Sequence, residues 1–282
     1  MRSTKVALVM PVYNEVDGIS AFLQEIDDEF EALQLIIVDD ASTDSTSRVV
    51  SQFMPRNMTI RLVKNEQNRG HGPSTLRALQ EGLDSGAGVV LALDGDGQVS
   101  AADLRRMLTD FHSTNCDLLI GVRMGRNESA FRMLTSWATR VITGVRSRKR
   151  VPDANTPFRV YRSNALKRLL ETVPSDSMVP NLWVTVISQR LAMDVRFMSV
   201  NARDRLGSST LGSTCGRASR ILPTRRFIRF CFLATVEWIG AWRHVRSLIS
   251  MSRNSQSDVD SSHYVGSVGG GVGTQAAKGS RL

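Results

Sequence analysis

Short apolar runs alternate with helical repeats along the first 122 residues. The apolar runs have the length of β-strands and cover 6–10, 35–38, 59–63, 89–93 and 117–122. Between them, apolar residues recur every three or four positions, as at Ile19, Phe22, Leu23, Ile26 and Phe30. This alternation predicts an α/β fold with a mostly parallel sheet covered by helices on both faces.

Two of the predicted helices have recognisable starts. Ser100 stands three residues before Asp103, the spacing of a capping box. Pro73 follows Gly72 and suits the first position of a helix. We therefore expect helices to begin at these two places.

Beyond residue 122 the pattern changes and becomes more helical. It predicts helices over 163–172 and 178–191 and a final strand over 193–200. Residues 153–162 are typical of a loop that enters an edge strand. We thus expect a folded domain over 1–212, a basic amphipathic helical segment over 213–250, and a Ser/Gly-rich, disordered tail over 251–282.

Polar or acidic motifs follow four of the predicted strands. They are Pro11–Glu15, Asp39-Asp40, Asn68-Arg69-Gly70 and Asp94–Gln98. In an open α/β sheet, ligands bind beyond the carboxyl ends of the strands. The four motifs should therefore meet at one edge of the sheet, and their convergence predicts a nucleotide site.

The sequence Asp94-Gly95-Asp96-Gly97-Gln98 follows a buried apolar run. Mg²⁺ and Mn²⁺ prefer oxygen ligands and usually keep positions open for water or phosphates. Two carboxylates beside two glycines suit such an ion and a diphosphate that approaches it. The alternative is a plain turn, since short Asp-Gly runs often serve as turns.

The net charge of +9 is unevenly distributed. Residues 1–122 contain 10 Lys/Arg and 18 Asp/Glu, whereas residues 123–168 contain 12 and 2. An acidic half suited to a metal ion thus precedes a basic part suited to phosphate or anionic lipid. The alternative is that the arginines only solvate exposed helices.

The composition is that of a soluble globular protein, with 41% hydrophobic and 22% charged residues. Three cysteines without CxxC pairing suggest reduced thiols and no zinc site. The N-terminal segment lacks the apolar core of a signal peptide. Because no apolar run approaches ~18 residues, we expect no membrane-spanning helix and a cytoplasmic location.

Taken together, the four strand-end motifs closely resemble family 2 glycosyltransferases. The branch that they resemble is that of dolichyl- or polyprenyl-phosphate mannose synthases, across roughly residues 4–212. The resemblance implies a GT-A fold and an inverting transfer from a nucleotide-diphosphate sugar, usually with Mg²⁺ or Mn²⁺. A Rossmann dehydrogenase is excluded because no G-x-G-x-x-G follows the first strand.

The resemblance also implies roles for individual residues. The metal ligands would be Asp94, Asp96 and Gln98, and the catalytic residues Asp94, Asp96 and Arg123. Asp39 would hold the base or ribose. The wider donor site would comprise Pro11, Tyr13, Glu15, Ile37, Asp39, Asp40, Gly70, Asp94, Gly95, Arg203 and Arg205. His71, next to this site, is expected to be a solvated loop residue.

The acceptor is indicated by the segment Ser177–Trp183, which contains no acid where many relatives carry a general base. A hydroxyl acceptor needs a base, whereas a phosphate monoester is already ionised at neutral pH. Arginines suit bidentate phosphate contacts. The candidates are Arg123, Arg126, Arg132 and Arg140. This favours a polyprenyl phosphate acceptor, with a sugar or lipid hydroxyl and Asp153 or Asp176 as base as the alternative.

A polyprenyl phosphate lies in a membrane, so the enzyme should dock there peripherally, on the cytoplasmic face. In a helix over 225–249, one face is apolar and the arginines lie opposite. The apolar face comprises Phe227, Phe230, Cys231, Ala234, Trp238, Ala241, Trp242, Val245 and Ile249. Such a helix suits an anionic membrane surface; packing on the domain is the alternative. A third reading, without catalysis, is a membrane- or nucleic-acid-binding protein, but the intact Asp94–Gln98 motif opposes it, and no nucleic acid is expected.

Overall fold

The fold is taken from a computed structural model that describes residues 5–124, 139, 141, 143–147, 149, 151–207 and 225–251. Seven strands form one sheet in the order β3-β2-β1-β4-β6-β5-β7. Their bounds are β1 Val6–Val12, β2 Leu33–Asp39, β3 Met58–Lys64, β4 Val89–Ala92, β5 Leu118–Met124, β6 Arg159–Arg162 and β7 Val195–Asn201. The predicted strands are thus confirmed, with ends shifted by at most two residues.

Helices connect most of these strands. Their bounds are α1 Val16–Glu29, α2 Thr46–Gln52, α3 His71–Asp84, α4 Ala101–Thr114, α5 Ser163–Leu170, α6 Pro180–Arg190 and α7 Arg225–Gly240, and a further helix covers 242–251. Ser100 caps α4 as expected, since its hydroxyl accepts the N–H of Asp103 at 3.2 Å. The expected start of α3 at Pro73 was wrong, because the helix begins two residues earlier, after Gly70 at φ 90°.

The sheet is mostly parallel, as predicted, with one exception in its middle. Strand β6 pairs antiparallel with β4 on one side and β5 on the other. The prediction of an edge strand at this position was therefore wrong. The residues of β6 fit an interior position, because Val160 and Tyr161 are completely buried.

Alternate residues of the central strands supply two apolar layers, one on each face of the sheet. On β1, Ala7 and Val9 belong to one cluster, whereas Leu8 and Met10 belong to the other. Helices α1 and α4 cover the second cluster, and α3 and α6 cover the first. The predicted α/β fold with helices on both faces is confirmed.

The C-terminal helices pack on the first of these layers. Trp238, Val245 and Ile249 are buried and belong to the same cluster as Trp183 of α6. The ring centroids of Trp183 and Trp238 lie 4.2 Å apart. Of the apolar face that we expected to contact either lipid or the domain, Trp238, Val245 and Ile249 therefore pack on the domain.

Candidate active site

The loop after β4 lies against the end of β1. The Gly95 N–H donates to the Pro11 carbonyl at 3.3 Å. A Cβ atom on Gly95 would lie 2.5 Å from the Val12 side chain, so only glycine lets the loop approach this closely. The backbone contact brings Asp94 and Asp96 to the carboxyl end of β1, where the motif Pro11–Glu15 begins.

Asp94 and Asp96 form a pair of partly buried carboxylates. Oδ1 of Asp94 is buried and has no hydrogen-bond partner, and Nε2 of His71 lies 3.6 Å from it. Burial, together with the charge of Asp94, raises the pKa of Asp96 to about 6. Two such groups repel each other when ionised, and a bound cation would relieve this repulsion.

Glu15 lies close to this pair and is held by Arg205. Its carboxylate accepts two hydrogen bonds from the Arg205 guanidinium, one of them from Nε at 3.2 Å. Burial raises the pKa of Glu15 to about 7 although Arg205 lowers it, and the charges of Asp96 and Asp94 add to the rise. The site therefore combines three carboxylates with one arginine.

The segment Arg203–Gly207 crosses over the Asp94–Gln98 loop. The backbone N–H groups of Arg203 and Leu206 donate to the Gln98 and Asp96 carbonyls at 2.9 and 3.0 Å. The Arg203 side chain donates to the Gly97 carbonyl and to Glu25, both at 2.6 Å. Arg205 thus lies at the carboxylate cluster, whereas Arg203 fastens the segment to α1.

Asp39 and Asp40 are buried at the end of β2 and organise the neighbouring loops. Asp39 accepts hydrogen bonds from Ser42 and from the Ser47 hydroxyl. Asp40 accepts the side-chain N–H of Asn65 at 2.7 Å and the backbone N–H groups of Arg69 and Gly70 at 2.8 and 2.9 Å. Asp40 consequently fixes the loop that leads into α3 and places His71 beside Asp94.

The remaining predicted donor residues lie in or next to the strand ends. Pro11 is buried in β1, and Tyr13 directly follows this strand and is half-buried. The Ile37 side chain is completely buried in the apolar core, so only its backbone could contact a nucleotide.

Arg123 forms a bidentate ion pair at the end of β5. Its Nε and one terminal nitrogen donate to Asp153 at 2.8 and 3.0 Å, and both side chains are largely buried. Asp153, the candidate base, is thus engaged by a cation. Arg126, Arg132 and Arg140 lie outside the described residues.

The start of α6 lies next to the site, against the first turn of α3. No acidic residue lies in its first turn, in agreement with the sequence. The preceding residues Ser177 and Met178 lie against α3, where a Cβ on Gly72 would come within 2.2 Å of the Ser177 carbonyl oxygen. Asp176, the other candidate base, pairs with Arg69 at 3.2 Å and is 79% exposed.

The residues present fit a divalent cation whose remaining ligands come from the substrate. Within the described ranges, no three His, Cys, Asp or Glu side chains form a ready-made metal centre. Mg²⁺ is commonly bound by one or two carboxylates plus substrate phosphates and water. The unpartnered Oδ1 of Asp94 and the raised pKa of Asp96 suit that arrangement.

Sequence reasoning missed several residues around the site. Glu25 binds Arg203, Asn65 binds Asp40, and Glu237 of α7 binds Ser177 and Met178 just before α6. No local motif marks any of these three residues. His71 does follow a recognised motif, and it lies near Asp94 instead of being only a solvated loop residue. Its position in the first turn after Asn68-Arg69-Gly70 was the available signal.

Solved structures support the fold. Glucosyl-3-phosphoglycerate synthase from Mycobacterium tuberculosis in complex with UDP matches with a TM-score of 0.55 and 16% identity, over 74% of each chain. Another structure of that enzyme, with Mn²⁺, UDP-glucose and phosphoglyceric acid, matches at 0.51 and 15% identity, also over 74% of each chain. The expected GT-A fold is thereby confirmed, and this structural neighbour binds a divalent metal together with its nucleotide sugar.

Curated proteins with similar sequences act on prenyl phosphates according to their names. The chain is 27% identical to dodecaprenyl-phosphate galacturonate synthase of Rhizobium johnstonii over 60% of its own length and 51% of that protein. It is 24% identical to undecaprenyl-phosphate mannosyltransferase of Micrococcus luteus over 76% of its length and 90% of that protein. The chain thus spans only about half of the Rhizobium protein.

The family model described as glycosyl transferase family 2 matches residues 7–170. The match includes the four strand-end motifs and the loop that carries Asp94 and Asp96. Because it covers more than half of the sequence, this chain belongs to glycosyl transferase family 2.

Proposed function

We propose that the protein transfers a sugar, with inversion, from a nucleotide-diphosphate sugar to a polyprenyl phosphate at a membrane surface. The observation that carries this proposal is the pair Asp94 and Asp96, placed at the end of β4 beside Glu15 and Arg205. A partly buried acidic pair with an unpartnered buried oxygen is unfavourable as part of a core but suits a site for a cation and a diphosphate.

Asp94 and Asp96 would hold Mg²⁺ or Mn²⁺, with Gln98 as a further oxygen ligand. The chemistry supplied by the bound ion is Lewis-acid stabilisation of the diphosphate leaving group. Arg205 would contribute a positive charge on the same side, because its partner Glu15 lies next to the two aspartates. Charge stabilisation of this kind is usually the largest contribution to catalysis.

The donor's nucleoside would bind between the ends of β1 and β2. Tyr13 lies after β1 and presents a half-buried ring, while Asp39 and Asp40 hold the loops on both sides. The buried position of Asp39 and its bonds to Ser42 and Ser47 keep its carboxylate in one orientation. An ordered acceptor group of this kind suits the hydroxyls of a ribose or a base N–H.

A phosphate acceptor is supported because, among the described residues, none of the three places considered for a general base offers an available carboxylate. The first turn of α6 has no acid, Asp153 accepts two hydrogen bonds from Arg123, and Asp176 is exposed and paired with Arg69. A phosphate monoester needs no proton removed by the enzyme, but it needs cationic positioning. Arg123 can contribute to this, since only two of the five N–H donors of its guanidinium are directed at Asp153.

The test is a transfer assay that varies both donor and acceptor. A panel of nucleotide sugars is supplied with a short-chain polyprenyl phosphate, with the corresponding prenol, or with a simple glycoside, each with and without EDTA. We expect transfer to the phosphate alone, and loss of transfer with EDTA that Mg²⁺ or Mn²⁺ restores. Transfer to the prenol or glycoside would instead establish a hydroxyl acceptor, and EDTA-resistant transfer would refute the metal role.

A further inference from the structure

Helix α7 near the C-terminus is apolar on its outer face as well as on the face that packs on the domain. Ile228, Phe232, Val236 and Ile239 recur at helical spacing, and their exposures are 53%, 65%, 52% and 65%. Leu233 beside them is 37% exposed. A surface helix normally presents polar residues to solvent, so a continuous apolar stripe on its outer face indicates a binding surface.

This stripe is distinct from the apolar face that the sequence singled out. The inner face, with Trp238 of α7 and with Val245 and Ile249 of the helix that follows, is already buried against α6 and its neighbours. The stripe lies on the side of the exposed arginines Arg225 and Arg229. The helix therefore carries one apolar face for the protein core and a second that nothing in the described residues covers.

Charge on the outer face is of one sign. Arg225 and Arg229 are exposed at one end of the stripe, and Arg243 and Arg246 are exposed in the helix that follows its other end. The only carboxylate between residues 225 and 251 is Glu237, and it is turned inward. It accepts hydrogen bonds from Ser177, the Met178 N–H and the Trp183 indole.

We infer that this outer face, defined by Ile228, Phe232, Leu233, Val236 and Ile239 with its flanking arginines, docks on an anionic lipid bilayer. An apolar strip bordered by arginines has the chemistry of a helix that lies in the plane of a membrane interface. Among the described helices none has both the length and the apolarity to cross a bilayer. The inference rests on the proposed function for its biological purpose, because a polyprenyl phosphate must be reached in the membrane.

A second copy of the chain fits this face less well. A two-fold contact places the same patch on both partners. The exposed arginines of two copies would then be brought together, with no acidic side chain on this face to offset them. Anionic headgroups, in contrast, complement both the arginines and the apolar strip.

The test is flotation of the full chain with vesicles of phosphatidylcholine alone or mixed with phosphatidylglycerol, without any nucleotide sugar. We expect binding to the mixed vesicles that weakens with salt. The double variant Phe232→Ser/Val236→Ser should bind at least about tenfold less, while the matched control Met54→Ser, at an 85% exposed apolar position outside the helix, binds normally.

The arginines are tested separately. Arg225→Gln/Arg229→Gln should lower binding to the anionic vesicles roughly thirtyfold, whereas Arg48→Gln/Arg56→Gln, at exposed positions elsewhere, should leave it unchanged. The second stripe pair Ile228→Ser/Ile239→Ser repeats the apolar test should the first pair fold poorly.

Three outcomes would overturn the inference. They are a wild-type chain that ignores the anionic vesicles, stripe variants that bind as the wild type does, and a wild-type dimer in sedimentation equilibrium that Phe232→Ser dissociates. The variant Asp96→Asn should bind vesicles normally. A failure of the sugar-transfer proposal therefore leaves vesicle binding intact, and the two proposals can fail independently.

Discussion

The carboxylate of Glu237 accepts a hydrogen bond from the indole N–H of Trp183, with 2.8 Å between Oε1 and Nε1. The same carboxylate accepts the Ser177 hydroxyl at 2.6 Å and the Met178 backbone N–H at 2.8 Å. One side chain of α7 therefore fixes Ser177 and Met178, the approach to α6. That approach lies against Gly72, next to His71 and the predicted metal ligand Asp94.

Replacing Glu237 by Gln should destabilise the protein. The amide nitrogen of Gln would face an N–H or O–H donor, so at least one of the three hydrogen bonds is lost. A buried unsatisfied group costs about 1–3 kcal/mol. The free energy of unfolding, measured by urea titration, should fall by that amount. The control Glu171→Gln, at an exposed position, should leave it unchanged; equal stability of the two variants would contradict the role of Glu237.

Gly72→Ala should disturb the contact between α3 and the approach to α6. The new Cβ would lie 2.2 Å from the Ser177 carbonyl oxygen and 2.7 Å from the Met178 backbone. Overpacking of this kind costs about 1–3 kcal/mol. Because His71 and Asp94 adjoin this contact, we expect both a lower melting temperature and a slower transfer reaction.

The matched control for this substitution is Gly240→Ala. Nothing lies within 4 Å of a Cβ atom at Gly240. Its melting temperature and transfer rate should equal those of the wild type. A Gly72→Ala protein with normal stability and rate would show that the close approach has no energetic importance.

Asp96→Asn should separate metal binding from folding. Burial and the charge of Asp94 make the ionised form of Asp96 costly, so the neutral side chain should leave the stability of the metal-free protein equal or slightly higher. Stabilisation by Mn²⁺ in thermal melts should disappear. Transfer should fall about a hundredfold or more.

The control for Asp96 is Asp84→Asn, an exposed carboxylate at the end of α3. It should keep both the Mn²⁺-dependent rise in melting temperature and the normal rate. Persistence of the Mn²⁺ effect in Asp96→Asn would contradict the assignment of Asp96 as a ligand.

Asp27 should contribute stability that depends on pH. Burial opposes its ionisation, but the backbone N–H groups of Arg56, Asn57 and Met58, at 2.8, 2.9 and 3.1 Å, hold its pKa below the usual 3.8. Because the folded pKa is lowered, the contribution is complete above pH 3.8 and is lost as the pH falls through the folded value.

Asp27→Asn should therefore unfold more easily than the wild type at neutral pH, by about 1–3 kcal/mol. The difference should shrink in acid below the usual pKa of 3.8. Urea titrations across this range measure it, with Asp28→Asn, a more exposed neighbour, as control. A difference that is independent of pH would show that the charge of Asp27 is unimportant.

Much of the candidate site was predictable because its motifs directly follow strands of the sheet. The carboxyl ends of parallel strands meet at one edge, so Glu15 and Asp96 could be brought together without knowledge of side-chain contacts. The pairing of Glu15 with Arg205 was not predictable, since 190 residues separate them. Nor did any local pattern indicate that Asp40 fixes the loop before His71.

The spacing of the apolar residues determined the strands, the helices and the sheet with an apolar layer on each face. A helix or strand can bury one face only if its apolar residues recur with the period of that element. The motifs after the strands likewise determined the family. The tertiary structure alone decided that β6 lies inside the sheet and which apolar face of α7 is buried. The spacing of apolar residues shows that a helix face is apolar, but it does not show what that face packs against. That choice depends on the shape and the hydrogen bonds of the neighbouring surface, here Trp183 and Ser177 around Glu237.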